Sequence, residues 1–102
     1  MISGFVDKTV EYRRRDNYVY RLTVGEHLLV ALHAQSDEPI YALTVTGAEL
    51  WERLAEWSTT DQLTDGLVAE YEVTSEAARE DVREFLDQLA LLSALETRGA
   101  TA

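Results

Sequence analysis

The side chains that could do chemistry in this chain are mostly carboxylates gathered towards its C-terminal end. Paired carboxylates act as general acid and base only where a cleft shifts their proton affinities. No such cleft is indicated around this cluster, so we interpret it as the solvated face of a helix and predict no catalytic residue. The cluster consists of Glu76, Glu80, Asp81, Glu84 and Asp87.

Metal and cofactor chemistry is not predicted either. The chain has two histidines, His27 and His33, and no cysteine. Six residues along one strand separate two side chains by about 20 Å, so these imidazoles cannot share a metal ion. Without cysteine, disulfides, iron–sulfur ligation and thiol catalysis are excluded. We therefore predict a protein that is not an enzyme and that needs no metal and no cofactor.

The charge of the chain is strongly negative and unevenly distributed. The net charge is −10, of which residues 46–102 carry −9. A surface this acidic repels phosphate backbones, whose neutralisation needs clustered lysine and arginine, and it suits a basic partner. Arg13, Arg14 and Arg15 are interpreted as a solvated run. With no membrane-length apolar run and no secretory signal, we predict a cytoplasmic protein with no nucleic-acid and no membrane partner.

Three strands are predicted in the first half of the chain. Apolar side chains alternate over residues 18–24, 27–33 and 40–44, which is the period of a half-buried strand. Gly25 and Glu26 have the glycine-first pattern of a two-residue hairpin turn. Residues 34–39 contain the only proline and predict a second loop. The expected sheet is antiparallel, with its three strands in sequential order.

Three helices are predicted in the second half. Thr46 with Glu49, and Thr59 with Gln62, have the spacing of capping boxes at the start of a helix. The predicted helices begin at about residues 47, 59 and 75, the first ending near residue 57 and the third near residue 91. The apolar stripe of the third helix consists of Ala78, Val82, Phe85, Leu86 and Leu89.

These elements together predict a single α+β domain. Its architecture is expected to be winged helix-turn-helix-like, with a three-stranded antiparallel sheet followed by a three-helix bundle. We expect the domain to cover residues 18–92. Residues 1–17 are poorly patterned, and residues 93–102 are expected to be a frayed tail with a short extended piece at 92–95.

An ordered set of residues lies over roughly positions 18–92. It joins a tyrosine–leucine strand end, a threonine–glycine before a tryptophan-containing helix, a second helix running from threonine to tyrosine, and an acid–valine pair followed by a phenylalanine–leucine pair in the third helix. These residues are Tyr41, Leu43, Thr46, Gly47, Trp51, Thr59, Tyr71, Asp81, Val82, Phe85 and Leu86. The ordered set resembles the pattern of the PqqD-like family. The chain departs from the pattern in having Thr44-Val45 for the usual Asn-Pro, and no glycine just after the third helix.

The resemblance implies a peptide-binding function. Members of this family are peptide-recognition domains that hold the leader segment of a ribosomally made precursor peptide for its modifying enzyme. This chain is expected to be a stand-alone member that delivers the peptide to a maturation enzyme, such as a radical SAM enzyme, a leader protease or a cyclase. The leader is expected to add as a strand beside the third strand and to pack on the third helix, and Val82→Asp is expected to abolish binding in a folded protein. The implied peptide-binding residues are Ile40, Tyr41, Ala42, Leu43, Thr44, Ala78, Asp81, Val82 and Phe85.

Two other functions stay open from the sequence. Winged-helix folds are common in DNA-binding regulators, although a fold does not fix a function, and a general protein-interaction adaptor has no distinguishing motif. Within the peptide-binding hypothesis, the arginine run at residues 13–15 has an alternative role as a clamp for acidic leader residues or for the enzyme.

Overall fold

A computed structural model of the chain describes residues 10–32 and 40–99. Within these residues the chain forms antiparallel strands and three helices, so the α+β class is confirmed. None of the helices in these two ranges is long and apolar enough to cross a bilayer. The elements are β1 (Glu11–Arg14), β2 (Tyr18–Thr23), β3 (Glu26–Ala31), β4 (Ile40–Leu43), α1 (Val45–Arg53), α2 (Thr60–Glu70), α3 (Ser75–Leu91) and β5 (Leu95–Arg98).

The main sheet has the order β2-β3-β4, which confirms the predicted sequential antiparallel arrangement. The hairpin turn between β2 and β3 differs from the prediction by one residue. Thr23 pairs with Glu26, so Val24 and Gly25 form the turn. Gly25 has φ of 75°, a value that glycine adopts at little cost, and it therefore takes the second turn position rather than the first. The predicted loop at residues 34–39, together with His33, lies outside the described residues.

Each helix begins behind a threonine cap. The predicted capping box of Thr59 and Gln62 is confirmed, and Thr74 caps α3. The predicted cap at Thr46 is wrong, because the hydroxyl of Thr44 accepts the backbone N–H of Gly47 at 3.0 Å. The chain therefore enters α1 directly from β4, two residues earlier than predicted, and α1 ends at Arg53 rather than near residue 57.

The core lies between the three helices and one face of the main sheet. The predicted stripe of α3 is confirmed, since all five of its apolar side chains are at most 8% exposed. The sheet contributes Tyr18 and Leu29 to the same cluster. Each fully buried leucine stabilises the fold by about 1.5–3 kcal/mol. The buried side chains supplied by α1, its C-terminal cap and α2 are Leu50, Trp51, Leu54, Leu63 and Leu67.

A second sheet joins the two ends of the described chain. Strands β1 and β5 pair antiparallel, with Tyr12 opposite Thr97. The backbone N–H and C=O of Tyr12 also bond to Ser58 at 2.8 and 2.9 Å, which ties β1 to the segment before α2. The prediction of a frayed tail is therefore wrong for β5, and β1 lies in the segment that was predicted to be poorly patterned.

Two of the three consecutive arginines make specific contacts at this second sheet, and one of them connects it to the core. Arg14 donates to the carbonyl oxygen of Trp51 at 2.8 Å and lies over its ring at 5.2 Å. Arg13 pairs with Glu96 at 2.9 Å and lies 4.5 Å from the ring centroid of Trp57. The interpretation of a solvated run is wrong for these two residues, whereas Arg15 is exposed.

Candidate peptide-binding site

Strand β4 is an outer strand of the main sheet. Its inner side pairs with β3, where Leu29 lies opposite Tyr41 and Leu28 opposite Ala42. No strand of residues 10–32 or 40–99 pairs with its outer side. The N–H and C=O groups of an outer strand are a template on which another chain can add as a further strand.

A groove with a volume of about 680 Å³ runs between this strand and α3. Leu50 and Phe85 are buried and form its apolar floor. Tyr41 and Leu43 are half-buried along one wall, while Ala42 and Ile40 alternate with them and are exposed. The lining residues are Tyr41, Ala42, Leu43, Thr44, Thr46, Gly47, Leu50, Asp81, Glu84, Phe85, Asp87 and Gln88.

Close packing around position 47, in the first turn of α1, explains why this residue is a glycine. A Cβ atom at this position would lie 3.1 Å from the hydroxyl of Thr44 and 3.3 Å from the ring of Phe85. Both distances are tighter than ordinary van der Waals contact. The glycine therefore lets the capping threonine and the Phe85 ring approach the same point, and that close approach shapes the floor of the groove.

The strand and α3 run in opposite directions along the groove. Gly47, beyond the end of β4, lies against Phe85, whereas the hydroxyl of Tyr41 lies 3.4 Å from the side-chain oxygen of Gln88. Going along β4 towards α1 therefore corresponds to going along α3 towards its N-terminus. Asp81, one helical turn before Phe85, consequently lies towards the end of the groove where α1 begins.

The structure brings together six of the nine residues predicted for peptide binding. Tyr41, Ala42, Leu43, Thr44, Asp81 and Phe85 line the groove. Ile40 is 56% exposed on β4 but does not line it.

Ala78 and Val82 are at most 1% exposed and pack in the core, so their side chains do not reach the groove. Val82→Asp would place a charge in this apolar core, so a loss of binding in that variant would not distinguish a lost peptide contact from a lost fold.

The sequence interpretation missed part of the α3 wall. Asp81, Glu84, Phe85 and Gln88 follow the spacing i, i+3, i+4 and i+7, which places them on one face of a helix. That face is next to the buried stripe and carries mostly polar side chains, so hydrophobic periodicity alone does not distinguish it from solvent-exposed surface.

The α3 wall of the groove is acidic. Asp87 lies 3.7 Å from Arg83, and Arg83 also pairs with Glu80. Asp81 and Glu84 form no ion pair with any residue in the described ranges. The groove therefore combines an apolar floor with a negative rim.

A second groove, of about 710 Å³, lies on the other side of α1 beside β2. It contains aromatic residues and mixed charges, including Arg15 and Glu52. At its edge the hydroxyl of Tyr20 lies 2.6 Å from Nδ1 of His27. No group of three or more potential metal ligands occurs in the described parts of the chain.

The family of the chain is decided by its match to a family model. The model described as coenzyme PQQ synthesis protein D (PqqD) matches residues 26–93. The chain belongs to the PqqD family. The matched range runs from the start of β3 to just past α3, so it contains both walls of the groove beside β4.

A solved structure resembles this PqqD-family chain over most of its length. It is described as TbiB1 in complex with the TbiA(beta) leader peptide, and it superposes with a TM-score of 0.67 at 27% sequence identity. The similarity covers 88% of this chain and 98% of TbiB1. Among curated proteins, no relative matches the sequence.

Proposed function

We propose that this PqqD-family protein recognises the leader segment of a ribosomally synthesised precursor peptide and presents it to a maturation enzyme. The observation that carries the proposal is the outer edge of β4, which no strand of the described residues pairs with and which opens onto the groove beside α3. Six of the eleven residues that carry the family pattern, among them Tyr41, Gly47 and Phe85, line this groove. TbiB1, a similar structure, is a complex with a leader peptide, which supports the same class of ligand here.

Strand addition and groove packing would make different contributions to recognition. Backbone pairing with residues 40–44 supplies affinity with little sequence information, and side chains entering the groove supply specificity. An apolar leader side chain that is fully buried on Leu50 and Phe85 would contribute about 1.5–3 kcal/mol. Ala78 and Val82 would contribute indirectly, because their packing in the core holds α3 in place beside the groove.

The protein itself would do no chemistry in this scheme. By holding the leader, it raises the concentration of the core peptide at the enzyme and orients it, which is a contribution of proximity. The enzyme partner is proposed to be a radical SAM enzyme, a leader protease or a cyclase, acting in the cytoplasm. The proposal extends to a winged helix-turn-helix-like arrangement in which the main sheet serves as the wing.

The charges on α3 do not favour the DNA-binding alternative. Arg79 pairs with Asp61 at 3.0 Å, and Arg83 pairs with Glu80 and Asp87. Both arginines of the helix that would enter a DNA groove are therefore already engaged by carboxylates, whereas phosphate binding needs cations that are free to replace counterions.

A bulky side chain on the groove wall tests the proposed site. Gln88 is exposed and lines the groove, so Gln88→Trp should fill it without disturbing the core. We expect at least tenfold weaker binding of the leader of the precursor peptide encoded beside the gene, measured by fluorescence polarisation. Leu91→Trp is the matched control, since Leu91 lies on the same helix, is 79% exposed and lines neither groove. Equal affinity for both variants would contradict the site.

A further inference from the structure

The groove beside β4 has a chemical asymmetry that restricts which peptides can occupy it. Its floor is apolar around Phe85, and one helical turn towards the N-terminus of α3 the wall carries Asp81. Glu84 lies between them along the helix and is exposed. A peptide strand in the groove therefore meets an apolar surface and a negative surface in succession.

The spacing of these two surfaces fits alternate residues of a strand. Phe85 and Asp81 are one turn apart on α3, a rise of about 5.4–6 Å. Side chains on the same face of a strand are about 6.6–6.8 Å apart. An added strand whose side chain at one position contacts Phe85 thus brings the side chain two residues away next to Asp81.

The carboxylates at this position are free to accept a partner. Neither Asp81 nor Glu84 forms an ion pair within residues 10–32 and 40–99, whereas Glu80 and Asp87, their neighbours on the helix, both pair with Arg83. Asp81 is also half-buried, so a cation beside it is screened less by salt than one at a fully exposed site.

From this arrangement we infer that the bound leader carries a basic side chain two residues from an apolar anchor, and that Asp81 and Glu84 select it. The inference rests on the proposed function and specifies the class of peptide that this groove accepts. The apolar anchor lies on Leu50 and Phe85. The lysine or arginine lies at the end of the groove where α1 begins, since Asp81 is on that side of Phe85.

Peptide selection against matched variants tests this assignment. The probe is a display library of random twelve-residue peptides, selected in parallel on the wild-type protein, on Asp81→Asn/Glu84→Gln, and on Asp65→Asn/Glu72→Gln. The last variant is the control, because it removes the same number of charges from exposed positions that line neither groove. Amide shifts of the labelled protein then locate one selected peptide.

We expect the wild type and the control to enrich peptides with lysine or arginine two residues from an apolar residue. The groove variant should keep the apolar preference and lose the basic one. Replacing the basic residue of a selected peptide by glutamine should weaken binding to the wild type roughly three- to tenfold, as expected for one or two partly exposed ion pairs.

Two kinds of result separate the inference from the proposed function. Peptides that shift amides of β4 and α3 but show no basic preference, or the same preference on the groove variant, overturn the inference and leave leader recognition standing. No enrichment at all, or peptides that bind only beside β2, overturns both.

Discussion

The third helix ends without a glycine, and Ser93 takes the backbone conformation that a glycine often adopts at the end of a helix. Ser93 has φ of 55°, in the left-handed region. Its N–H donates to the carbonyl of Ala90 at 3.0 Å, and the N–H of Ala94 donates to that of Leu89 at 2.8 Å. This pair of bonds is a Schellman motif. The chain therefore keeps the helix-ending geometry with a side chain that is strained in it.

Ser93→Gly should stabilise the protein. Glycine adopts a positive φ without the steric cost of a Cβ, and part of that gain is offset by its greater freedom in the unfolded chain. We expect the free energy of unfolding to rise by about 0.5–1 kcal/mol, measured by urea denaturation. Ser93→Ala is the control, because it removes the hydroxyl but keeps the Cβ; an equal gain in that variant would contradict the backbone explanation.

Arg14 and Arg15 are adjacent in the sequence, but the side chain of Arg14 is part of the fold and that of Arg15 is solvated. Arg14 donates to the Trp51 carbonyl, and a hydrogen bond from a charged group to a partly buried acceptor is worth more than a neutral one. Arg14→Ala should lower the free energy of unfolding by about 1–2 kcal/mol, in the same denaturation experiment. Arg15→Ala should change it by less than about 0.5 kcal/mol. Equal losses for the two variants would contradict this distinction and would support the interpretation of the arginines as one solvated run.

At the scale of elements, the second sheet has a hydrogen-bond pattern that can be derived residue by residue. Tyr12 directs both backbone groups to Ser58, and Arg14 donates to the Leu54 carbonyl. The backbone N–H and C=O groups of the alternate residues of β1 must therefore point towards β5. The N–H of Arg15 donates to the Ala94 carbonyl at 2.9 Å, which fits this alternation because Arg15 is two residues from Arg13. Arg13 and Glu96 are thus a hydrogen-bonded pair, while the N–H of Thr97 points away from β1.

Proline scanning of β5 tests that pattern. Glu96→Pro removes a donor of the ladder and leaves the Arg13 carbonyl without its partner, so we expect a loss of about 2 kcal/mol in the free energy of unfolding. Thr97→Pro should cost less than half as much, because its N–H is outside the ladder. Thermal unfolding of the two variants compares them directly, and a larger loss for Thr97→Pro would mean that the register is shifted.

The sequence predicted the elements whose periodicity is strong and missed those without it. Alternation over residues 18–24 and the stripe from Ala78 to Leu89 located strands and a helix correctly. Strands β1 and β5 have four residues each, and five of these eight residues are charged, so nothing local distinguishes the strands from loops. They form because Tyr12 and Leu95 pack against the core, a contact between distant segments.

The sequence also predicted only part of the candidate site. The strand side of the groove follows from the family pattern around Tyr41 and Leu43. On the helix side, the predicted Asp81 and Phe85 line the groove, whereas Ala78 and Val82 lie in the core. The polar residues Glu84, Asp87 and Gln88 were missed, because hydrophobic periodicity does not identify them. Thr44 was missed as a cap because Thr46 has the better capping-box spacing; extended backbone at Thr44, with ψ of 173°, decides between them.

At the scale of the whole molecule, charge and free backbone edge act together. Residues 46–102 carry a net charge of −9, and the helices they form make one wall of the groove. The strand wall belongs to the main sheet, in the nearly neutral part of the chain. A cationic or amphipathic peptide is attracted to this surface, whereas duplex DNA is repelled by it.

The most direct test of leader recognition is an amide-resolved NMR titration of the labelled protein with the leader peptide encoded beside the gene, with duplex DNA as the control. The account predicts shifts concentrated on residues 40–44 and on the α3 face from Asp81 to Gln88, slower amide exchange along β4, and no response to DNA. Shifts confined to β2 and its groove, or a response to DNA but none to the leader, would contradict it.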